Sequence, residues 1–334
     1  MSTLDFPIHS VKVSVVIVNL NGAAFIKECL SALISQKHIF EIIIVDNGSI
    51  DDSLSVIKDV YPNARIIQNK ENFGFAGPAN QGASLASGEF ILFLNNDLRM
   101  TRNCLETLVK AISESEYIAA VSPLMLKVDG SIDGAGSFFT KSGFLYHVTK
   151  NDLDLNRFGP ERFALKGACL LIRNDVFSSL GGFDSSYFAY FEESDLCWRL
   201  INRGYLLHHI NDAVAIHDGG RTSLKVLTST KMDFLSFRNR ITTIRKNASL
   251  GLKLRVLPQH TLYCLLVAGA FLLRGKSKNS KSIVRALLWH ISSRSKSGIT
   301  YDKSMNKSST SLKNITVPFK ITSAFQLAIL YLRH

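Results

Sequence analysis

The sequence predicts an α/β protein whose central sheet is mostly parallel. Continuous apolar runs at residues 13–18, 41–45 and 90–94 are typical of strands covered on both faces. Helical periodicity follows the first two runs, and alternation of strands with helices favours a parallel sheet. Polar residues come directly after these strands, where ligands of open α/β sheets bind.

The first two strand–helix units have clear boundaries. Residues 13–18 form the first strand, and Asn21-Gly22 ends it before a helix over 23–35 with an apolar stripe. The second strand, 41–45, ends on Asp46. Acidic residues then mark the first turn of a helix over 51–60.

The remaining elements continue the pattern as far as residue 217. The further predicted strands are 65–68, 90–94, 118–122, 165–173 and 213–217. The further predicted helices are 79–86, 104–113 and 193–203. Residues 123–163 are rich in Gly, Ser and aromatic residues, and we expect hairpins or a flexible loop there.

Charge divides the chain near residue 220. Residues 1–220 hold 18 Lys and Arg against 25 Asp and Glu, a net charge of −7. Residues 221–334 hold 21 against 2, a net charge of +19. We predict an α/β domain over 1–220 and a basic, helical region over 221–334. This charge favours an anionic partner, either a membrane surface or a nucleic acid.

Three segments of the basic region have helical or apolar character. Residues 225–246 are helical in period, and residues 317–332 read as an amphipathic helix. The apolar run 262–273 is shorter than the roughly 20 residues that span a bilayer. It is therefore either an interfacial segment or a core helix, and residues 296–313 are polar.

The cysteines give no sign of a disulfide framework or a zinc site. Their number is odd and their spacings are wide. Residues 1–12 also contain no apolar segment typical of a secretory signal. Both observations favour a reducing, cytoplasmic compartment.

Two acidic residues at strand ends are candidates for ligand binding. Asp97 follows the strand 90–94, with Asn95 two residues before it, and a carboxylate there suits Mg²⁺ or Mn²⁺ bound together with phosphate oxygens. The alternative is a solvated turn acid that caps the next helix. Asp46 either accepts hydrogen bonds from a nucleobase or ribose, or forms an ordinary Asx turn.

Three further motifs carry candidate chemistry. The segment 72–80 has two glycines that allow close backbone approach to a phosphate or sugar, but it is neither a P-loop nor a dinucleotide fingerprint. Glu192, Glu193 and Asp195 are close enough to raise one another's pKa, which suits a general base. Acids at a helix start also stabilise the helix itself. His217 is either a metal or phosphate ligand, or structural.

Together these segments resemble the family 2 glycosyltransferases, and within them the rhamnosyltransferase-like branch of bacterial surface-polysaccharide enzymes. The matches occur in family order over residues 13–220. They are VVIVNLNG (15–22), VDNGSIDDS (45–53), NFGFAGPAN (72–80), LNND (94–97), GACLLI (167–172), GGFD (181–184), YFEESDLCWR (190–199) and HDGG (217–220). The region around Arg238-Asn239 also resembles the C-terminal extension of this family.

The resemblance implies a GT-A fold and an inverting, metal-dependent transferase. In this comparison Asp46 contacts the nucleobase, Asp97 binds the metal and diphosphate, and His217 completes the metal site. Glu192 and Glu193 match a Glu-Asp pair whose second acid is the usual base. The implied donor-binding positions are Asn19, Asn21, Asp46, Asn47, Asn72, Gly74, Asn80, Asn95, Asn96 and Asp97.

Two positions depart from the family pattern. Asn95 stands where the first acid of a DxD motif is usual, so a metal would depend mainly on Asp97 with His217. Glu193 stands where Asp is usual, and its longer side chain leaves Asp195 as an alternative base. These departures also keep open a non-catalytic scaffold that binds a nucleotide sugar.

The resemblance implies transfer of a sugar to a glycan or lipid-linked oligosaccharide in surface-polysaccharide synthesis. The first candidate for this sugar is rhamnose, with dTDP-rhamnose as the donor. UDP-linked galactofuranose, glucose or N-acetylglucosamine are alternative donors. A lipid-linked acceptor agrees with a cytoplasmic protein bound peripherally to the inner face of the membrane. We expect no nucleic-acid partner, because the body is acidic and carries no recognised nucleic-acid-binding motif. A nucleotidyltransferase is not favoured either, because the sequence lacks the glycine-rich signature of that class after the first strand.

Overall fold

A mixed β-sheet organises the body of the protein. The computed structural model describes residues 11–140, 143–148, 159–218, 227–292 and 316–317. The strands in these residues are β1 (Val13–Asn19), β2 (Ile39–Asp46), β3 (Arg65–Gln68), β4 (Phe90–Asn95), β5 (Leu98–Met100), β6 (Ile118–Lys127), β7 (Ile132–Gly134), β8 (Ser137–Thr140), β9 (Leu145–His147), β10 (Cys169–Arg173), β11 (Leu206–His217) and β12 (Thr316–Val317). The helices are α1 (Ile26–Ile34), α2 (Ser53–Val60), α3 (Ala76–Ala83), α4 (Cys104–Ser113), α5 (Asn174–Ser179), α6 (Glu192–Asn202), α7 (Ser229–Asn247), α8 (Leu250–Leu273) and α9 (Ser277–Ser292).

Nine of the described strands form one sheet. Their order is β3-β2-β1-β4-β10-β6-β11-β5, with β7 paired to β6. Strands β1 to β4 run parallel to their neighbours in that group, whereas β10 runs antiparallel between β4 and β6. Asn19 is in register with Asp46, and Val18 with Asn95. The α/β class is confirmed, and the carboxyl ends of β1, β2 and β4 meet at one edge.

The hydrophobic core lies on both faces of this sheet. Val16 and Phe93 contribute to a cluster on one face that includes the fully buried Trp198. Ile17 and Leu92 contribute to a second cluster on the other face. Because side chains alternate along a strand, burial on both faces requires the continuous apolar runs seen in the sequence.

Several elements differ from the sequence prediction. Strand β10 begins at Cys169 and not at residue 165, and β5 and α5 lie where the sequence predicts no element. Helix α3 begins at Ala76, ahead of the predicted start at residue 79, because Pro78 is tolerated in a first helical turn. Strand β11 begins at Leu206 and not at residue 213, since its polar residues interrupt the apolar pattern. Residues 123–140 and 143–148 contain the end of β6, then β7, β8 and β9, and β8 pairs with β9 as a hairpin.

The C-terminal region is helical where the structure describes it. The predicted apolar run is part of the longer α8, which is long and apolar enough to cross a membrane and has one third of its most apolar window buried. Core helices of soluble proteins can be equally long and apolar, but most of their surface is buried. Leu262, Leu266 and Leu273 are exposed along α8. The polar segment 296–313 and the predicted helix 317–332 lie outside the described residues.

Helix α7 and the start of α8 pack against the body of the protein. Ile244, Ala248 and Val256 belong to the same core cluster as Trp198 of α6. The division of the chain at residue 220 stays a prediction. The packing shows that residues on both sides of it share one hydrophobic core.

Candidate active site

A cavity of about 530 Å³ opens at the carboxyl edge of the parallel strands. Strand ends, the segment before α3, the loop before α6 and residues of α7 all contribute to its wall. The sequence-predicted residues that line it are Asn47, Asn72, Gly74, Asn95, Asn96, Asp97, Glu192, Glu193 and His217. Asn19, Asn21, Asp46, Asn80 and Asp195 lie outside its described lining.

A buried hydrogen-bond network joins the ends of β1, β2 and β4. The Nδ2 of Asn19 donates to Asp46 Oδ1 at 2.9 Å and to Ser53 Oγ at 3.0 Å. Asn19 Oδ1 accepts a 2.8 Å bond from Asn96 Nδ2. Asp46 is 2% exposed and also accepts from Ser49 Oγ at 2.6 Å. Asn19 and Asp46 fix the strand ends from behind the cavity wall, whereas Asn96 lines the cavity itself.

Asn21 lies at the exposed edge of the same network. Its φ is 49°, in the left-handed region that asparagine tolerates better than most residues. Its Oδ1 accepts a 2.9 Å bond from the backbone N–H of Ile50, and its own N–H donates to Ser49 Oγ at 2.9 Å. Asn21 therefore ties the β1–α1 turn to the turn after β2.

Asn47 organises the segment before α3. Its Nδ2 donates to Asn72 Oδ1 at 2.9 Å and to the carbonyl of Gly74 at 2.7 Å. Gly74 has a φ of +82°, and an added Cβ would overlap the carbonyl oxygen of Phe188. Glycine is required here because two backbone segments approach each other closely.

Asn80 has a different environment from the rest of this segment. Its Nδ2 donates to the Phe183 carbonyl at 2.7 Å, and its Oδ1 accepts from the Phe183 N–H at 2.9 Å. The side chain thus joins α3 to residues 183–185. The structure gives Asn80 this connecting contact and does not bring it into the described cavity lining.

Asp97 and His217 meet at the cavity wall. Asp97 Oδ1 lies 3.3 Å from His217 Nε2, and both side chains are almost fully buried. On its other side, His217 Nδ1 lies 3.0 Å from Asp133 Oδ2. Lys166 Nζ lies 3.3 Å from the same oxygen. Burial lowers the pKa of His217, but the bonds to Asp133 and Asp97 outweigh it and raise that pKa to about 9.

The ligand types at this position fit a divalent cation. A carboxylate oxygen and an imidazole nitrogen both bind Mn²⁺, and carboxylates also bind Mg²⁺. Among the described residues, no group of three or more His, Cys, Asp or Glu side chains is arranged to bind a metal without help. A cation at Asp97 and His217 would need further ligands, such as phosphate oxygens and water.

Glu192 and Glu193 begin α6 and line the same cavity. Burial, and then the charge of Glu193, raise the pKa of Glu192 well above its usual range. Burial also raises the pKa of Glu193, although Ser194 Oγ donates to Glu193 Oε1 at 3.3 Å. A carboxylate with a raised pKa is a stronger proton acceptor, as a general base requires.

Asp195 is held in the interior. Its Oδ2 accepts a 2.8 Å bond from Arg199 Nε, and its Oδ1 accepts from Asn247 Nδ2 at 2.8 Å. Lys246 Nζ lies 2.9 Å from the same Oδ1 and 2.6 Å from Asp184 Oδ2. Because Asp195 is fully buried and both its oxygens have partners, the geometry speaks against it as the alternative base.

Sequence reasoning missed Asp133, Lys166 and Asn239. Asp133 lies in the region without periodicity, and Lys166 is one of many lysines. Asn239 was noted only as part of a family extension. No local pattern marks these residues, because the contacts of Asp133 with Lys166 and His217, and of Asn239 with Ala189, span 33 or more positions in the sequence.

This strand order, with its cavity at the carboxyl edge of the sheet, is that of the GT-A fold found in glycosyltransferases. A solved structure of similar fold is the mannosyltransferase PcManGT from Pyrobaculum calidifontis, in complex with GDP-Man and Mn²⁺. The TM-score is 0.56 at 17% identity, over 84% of this chain and 87% of that chain. The protein belongs to glycosyl transferase family 2, whose model matches residues 14–181, half of the chain.

Two relatives illustrate the activities of similar proteins. The N-acetylglucosaminyl-diphospho-decaprenol L-rhamnosyltransferase of Mycobacterium tuberculosis is 26% identical over 61% of this chain and 75% of its own length. The low-salt glycan biosynthesis hexosyltransferase Agl10 of Haloferax volcanii is 25% identical over 78% of this chain and 83% of its own. The predicted family and enzyme class are confirmed.

Proposed function

We propose that this enzyme is an inverting, metal-dependent transferase that moves a sugar from a nucleotide sugar to a glycan or lipid-linked glycan hydroxyl. The observation that carries the proposal is the placement of two different chemistries in one cavity. Asp97 and His217 supply ligands for a cation, and Glu193 supplies a half-buried carboxylate with a raised pKa. A scaffold that only binds the donor has no use for the second group.

In this proposal the donor lies along the strand-end wall. Asn47, Asn72 and Gly74 surround its nucleoside portion, while Asp46 and Asn19 fix the strand ends behind them. Asp97 and His217 would bind Mg²⁺ or Mn²⁺, which when bound neutralises negative charge on a diphosphate. Lys166 adds a further positive charge at the same wall.

Glu193 carries out the proton transfer in this mechanism. Its carboxylate takes the proton from an acceptor hydroxyl as that oxygen bonds to the anomeric carbon of the donor. The bond from this carbon to the diphosphate oxygen breaks, and the nucleoside diphosphate leaves with the electron pair. Attack opposite the leaving group gives inversion.

Rhamnose from dTDP-rhamnose is the first proposed donor. The name of the mycobacterial relative supports both a rhamnosyl donor and a lipid-linked acceptor. UDP-linked galactofuranose, glucose or N-acetylglucosamine are the alternatives. Thermal melting with dTDP-, UDP- and GDP-sugars, each with and without Mn²⁺ or Mg²⁺, tests this choice, since a bound ligand raises Tm.

Three outcomes of this measurement, combined with a turnover assay, have different meanings. A shift that requires both donor and metal, and that is lost in Asp97→Asn, supports the donor and metal assignments together. A shift with donor but no turnover with any glycan acceptor would instead support a non-catalytic scaffold. A metal-independent shift would contradict the role of Asp97.

We also propose that the protein binds the inner face of the cytoplasmic membrane. The exposed leucines of α8 and the net charge of +19 over residues 221–334 support this placement. Co-sedimentation with vesicles containing phosphatidylglycerol, compared with pure phosphatidylcholine vesicles, tests it. We expect binding to the anionic vesicles that weakens at high salt, and absence of binding at low salt would contradict the proposal.

A further inference from the structure

The turn that leads into α6 has an uncommon backbone conformation. Tyr190 and Phe191 both lie in the left-handed region, with φ of 69° and 71°. Residues with a Cβ avoid this region, and such conformations persist only where the surrounding structure enforces them. Glu192 and Glu193 follow at once, so the conformation of this turn determines where the two carboxylates lie.

Asn239 of α7 holds this turn from one side. Its Nδ2 donates hydrogen bonds of 2.8 Å to the backbone carbonyls of both Ala189 and Tyr190. Its Oδ1 accepts a 2.8 Å bond from Arg238 Nε, so the amide is oriented with its NH₂ group toward the turn. Asn239 is only 1% exposed, and water does not compete for these bonds.

The segment before α3 holds the same loop from the other side. The backbone N–H of Phe75 donates a 2.8 Å bond to the carbonyl of Phe188. Gly74 brings its backbone against that carbonyl so closely that a Cβ would overlap it. The loop 188–191 is therefore fixed between the segment before α3 and α7.

Helix α7 presents a polar stripe toward residues 184–195. Asn239, Thr243, Lys246 and Asn247 are spaced at four, seven and eight positions, which places them on one helix face. Thr243 Oγ1 lies 2.8 Å from the Tyr187 hydroxyl. Lys246 and Asn247 contact Asp195, as described above. Asn239 is the member of this stripe that contacts the left-handed turn.

We propose that Asn239 is a positioning residue that holds the Tyr190–Phe191 turn in the conformation that presents the Glu192–Glu193 pair to the acceptor. The inference rests on the proposed function, in which Glu193 is the base. It makes α7 a part of the catalytic site, although α7 lies outside the residues matched by the family model. Asn239 itself takes no part in the reaction.

Steady-state kinetics of Asn239→Ala in the full-length enzyme test this proposal. We expect kcat to fall by about 100-fold, because small misplacements of a catalytic group have effects of that order. The KM for the nucleotide sugar, and its Kd from thermal melting, should stay within about twofold of wild type. Hydrogen–deuterium exchange should increase in residues 186–195 and remain unchanged in β1.

Asn279→Ala is the matched control. Asn279 of α9 also donates a partly buried hydrogen bond from its side-chain amide, 2.7 Å to Asp233 Oδ2. It belongs to the same C-terminal region but has no described bond to residues 184–195. We expect unchanged kcat in this variant. If Asn239→Ala folds poorly, Asn239→Leu fills nearly the same volume without donating the two bonds, and the same fall in kcat is expected.

The outcomes separate this proposal from the proposed function. Asn239 variants with wild-type kcat and unchanged exchange, beside an inactive Glu193→Gln, would overturn the positioning role and leave the base assignment intact. An active Glu193→Gln would overturn the base assignment, while the exchange of residues 186–195 still reports whether Asn239 holds the turn.

Discussion

The two walls of the cavity are built in different ways. The strand-end wall comes from the ends of adjacent strands. The sheet register places Asn19 beside Asp46, and hydrogen bonds of the Asn19 side chain join Asp46 and Asn96. The wall that carries Glu193 comes from a loop in a left-handed conformation, held by Asn239 from a helix that starts 36 residues after Glu193. In the first wall the register of the sheet brings the side chains together, whereas in the second a helix side chain packs against a loop and holds it.

This difference suggests a division of labour. A site built on strand ends is rigid, and we expect it to bind similar nucleoside diphosphates in related enzymes with little rearrangement. A loop fixed by a few side chains can present its carboxylates to different acceptors. The comparison predicts that substitutions in the two walls affect different kinetic constants.

The largest effect is expected at the base. Glu193→Gln keeps the shape of the side chain and removes its ability to accept a proton, so kcat should fall by about 10³-fold. The Kd for the donor should be unchanged, as measured by thermal melting. Glu116→Gln, at an exposed glutamate, is the control and should retain full activity. Turnover close to wild type in Glu193→Gln would remove the functional distinction between the walls.

A large effect on stability is expected where α7 meets the body. Lys246→Met leaves the buried carboxylates of Asp184 and Asp195 without their shared cation, which should lower the free energy of unfolding by about 3–5 kcal/mol. Lys37→Met removes an exposed ion pair with Glu106, and about 1 kcal/mol or less is expected. Urea unfolding of both variants provides the measurement. If the two variants lost similar free energies of unfolding, the contacts of Lys246 would stabilise the protein no more than an exposed ion pair does.

Acidification should reduce the difference between wild type and Lys246→Met. Although burial raises the pKa of Asp184, the nearby Lys246 and its bonds outweigh burial and lower that pKa in the folded protein. A lowered pKa contributes stability above the unfolded value, about 3.9, which is lost as pH falls through the folded value. We expect the two unfolding curves to converge below about pH 4. A constant difference from pH 7 to pH 3 would contradict the pairing of Lys246 with Asp184.

The sequence predicts the strand-end wall better than the wall that carries Glu193, for a physical reason. Asp46 and Asn95–Asp97 end apolar runs, and parallel strands bring such ends together without further information. Glu193 was found because acids cluster in the sequence, but the same cluster suggested Asp195, which the structure buries against Arg199. Burial of an ion pair depends on tertiary packing, which a local pattern does not contain.

Asp133 illustrates the same limit on the donor side. It lies on the short strand β7, where no periodicity marks it, and only the pairing of β7 with β6 and of β6 with β11 brings it near His217. A Cβ at the neighbouring Gly134 would displace the side chain of Lys166, which contacts Asp133. The strand-end wall is thus not built from strand ends alone.

The smallest of these effects is expected at Asp133, and it tests how far the strand-end wall extends. A carboxylate that accepts the Nδ1 hydrogen of a histidine orients its Nε2 and increases its strength as a ligand, so loss of such a partner weakens metal binding by about 10- to 100-fold. We expect Asp133→Asn to weaken Mn²⁺ binding in the presence of a nucleoside diphosphate by that amount. Titration followed by the electron paramagnetic resonance of free Mn²⁺ measures this without turnover.

Asp212→Asn changes an exposed aspartate on the same strand as His217, and its Mn²⁺ affinity should match wild type. A normal affinity in Asp133→Asn as well would mean that Asp97 binds the cation without an oriented His217. The strand-end wall would then depend on strand ends alone, and it would differ more from the loop that carries Glu193. A loss confined to Asp133→Asn would show that both walls rely on partners distant in sequence, and that they differ only in how many such partners they need.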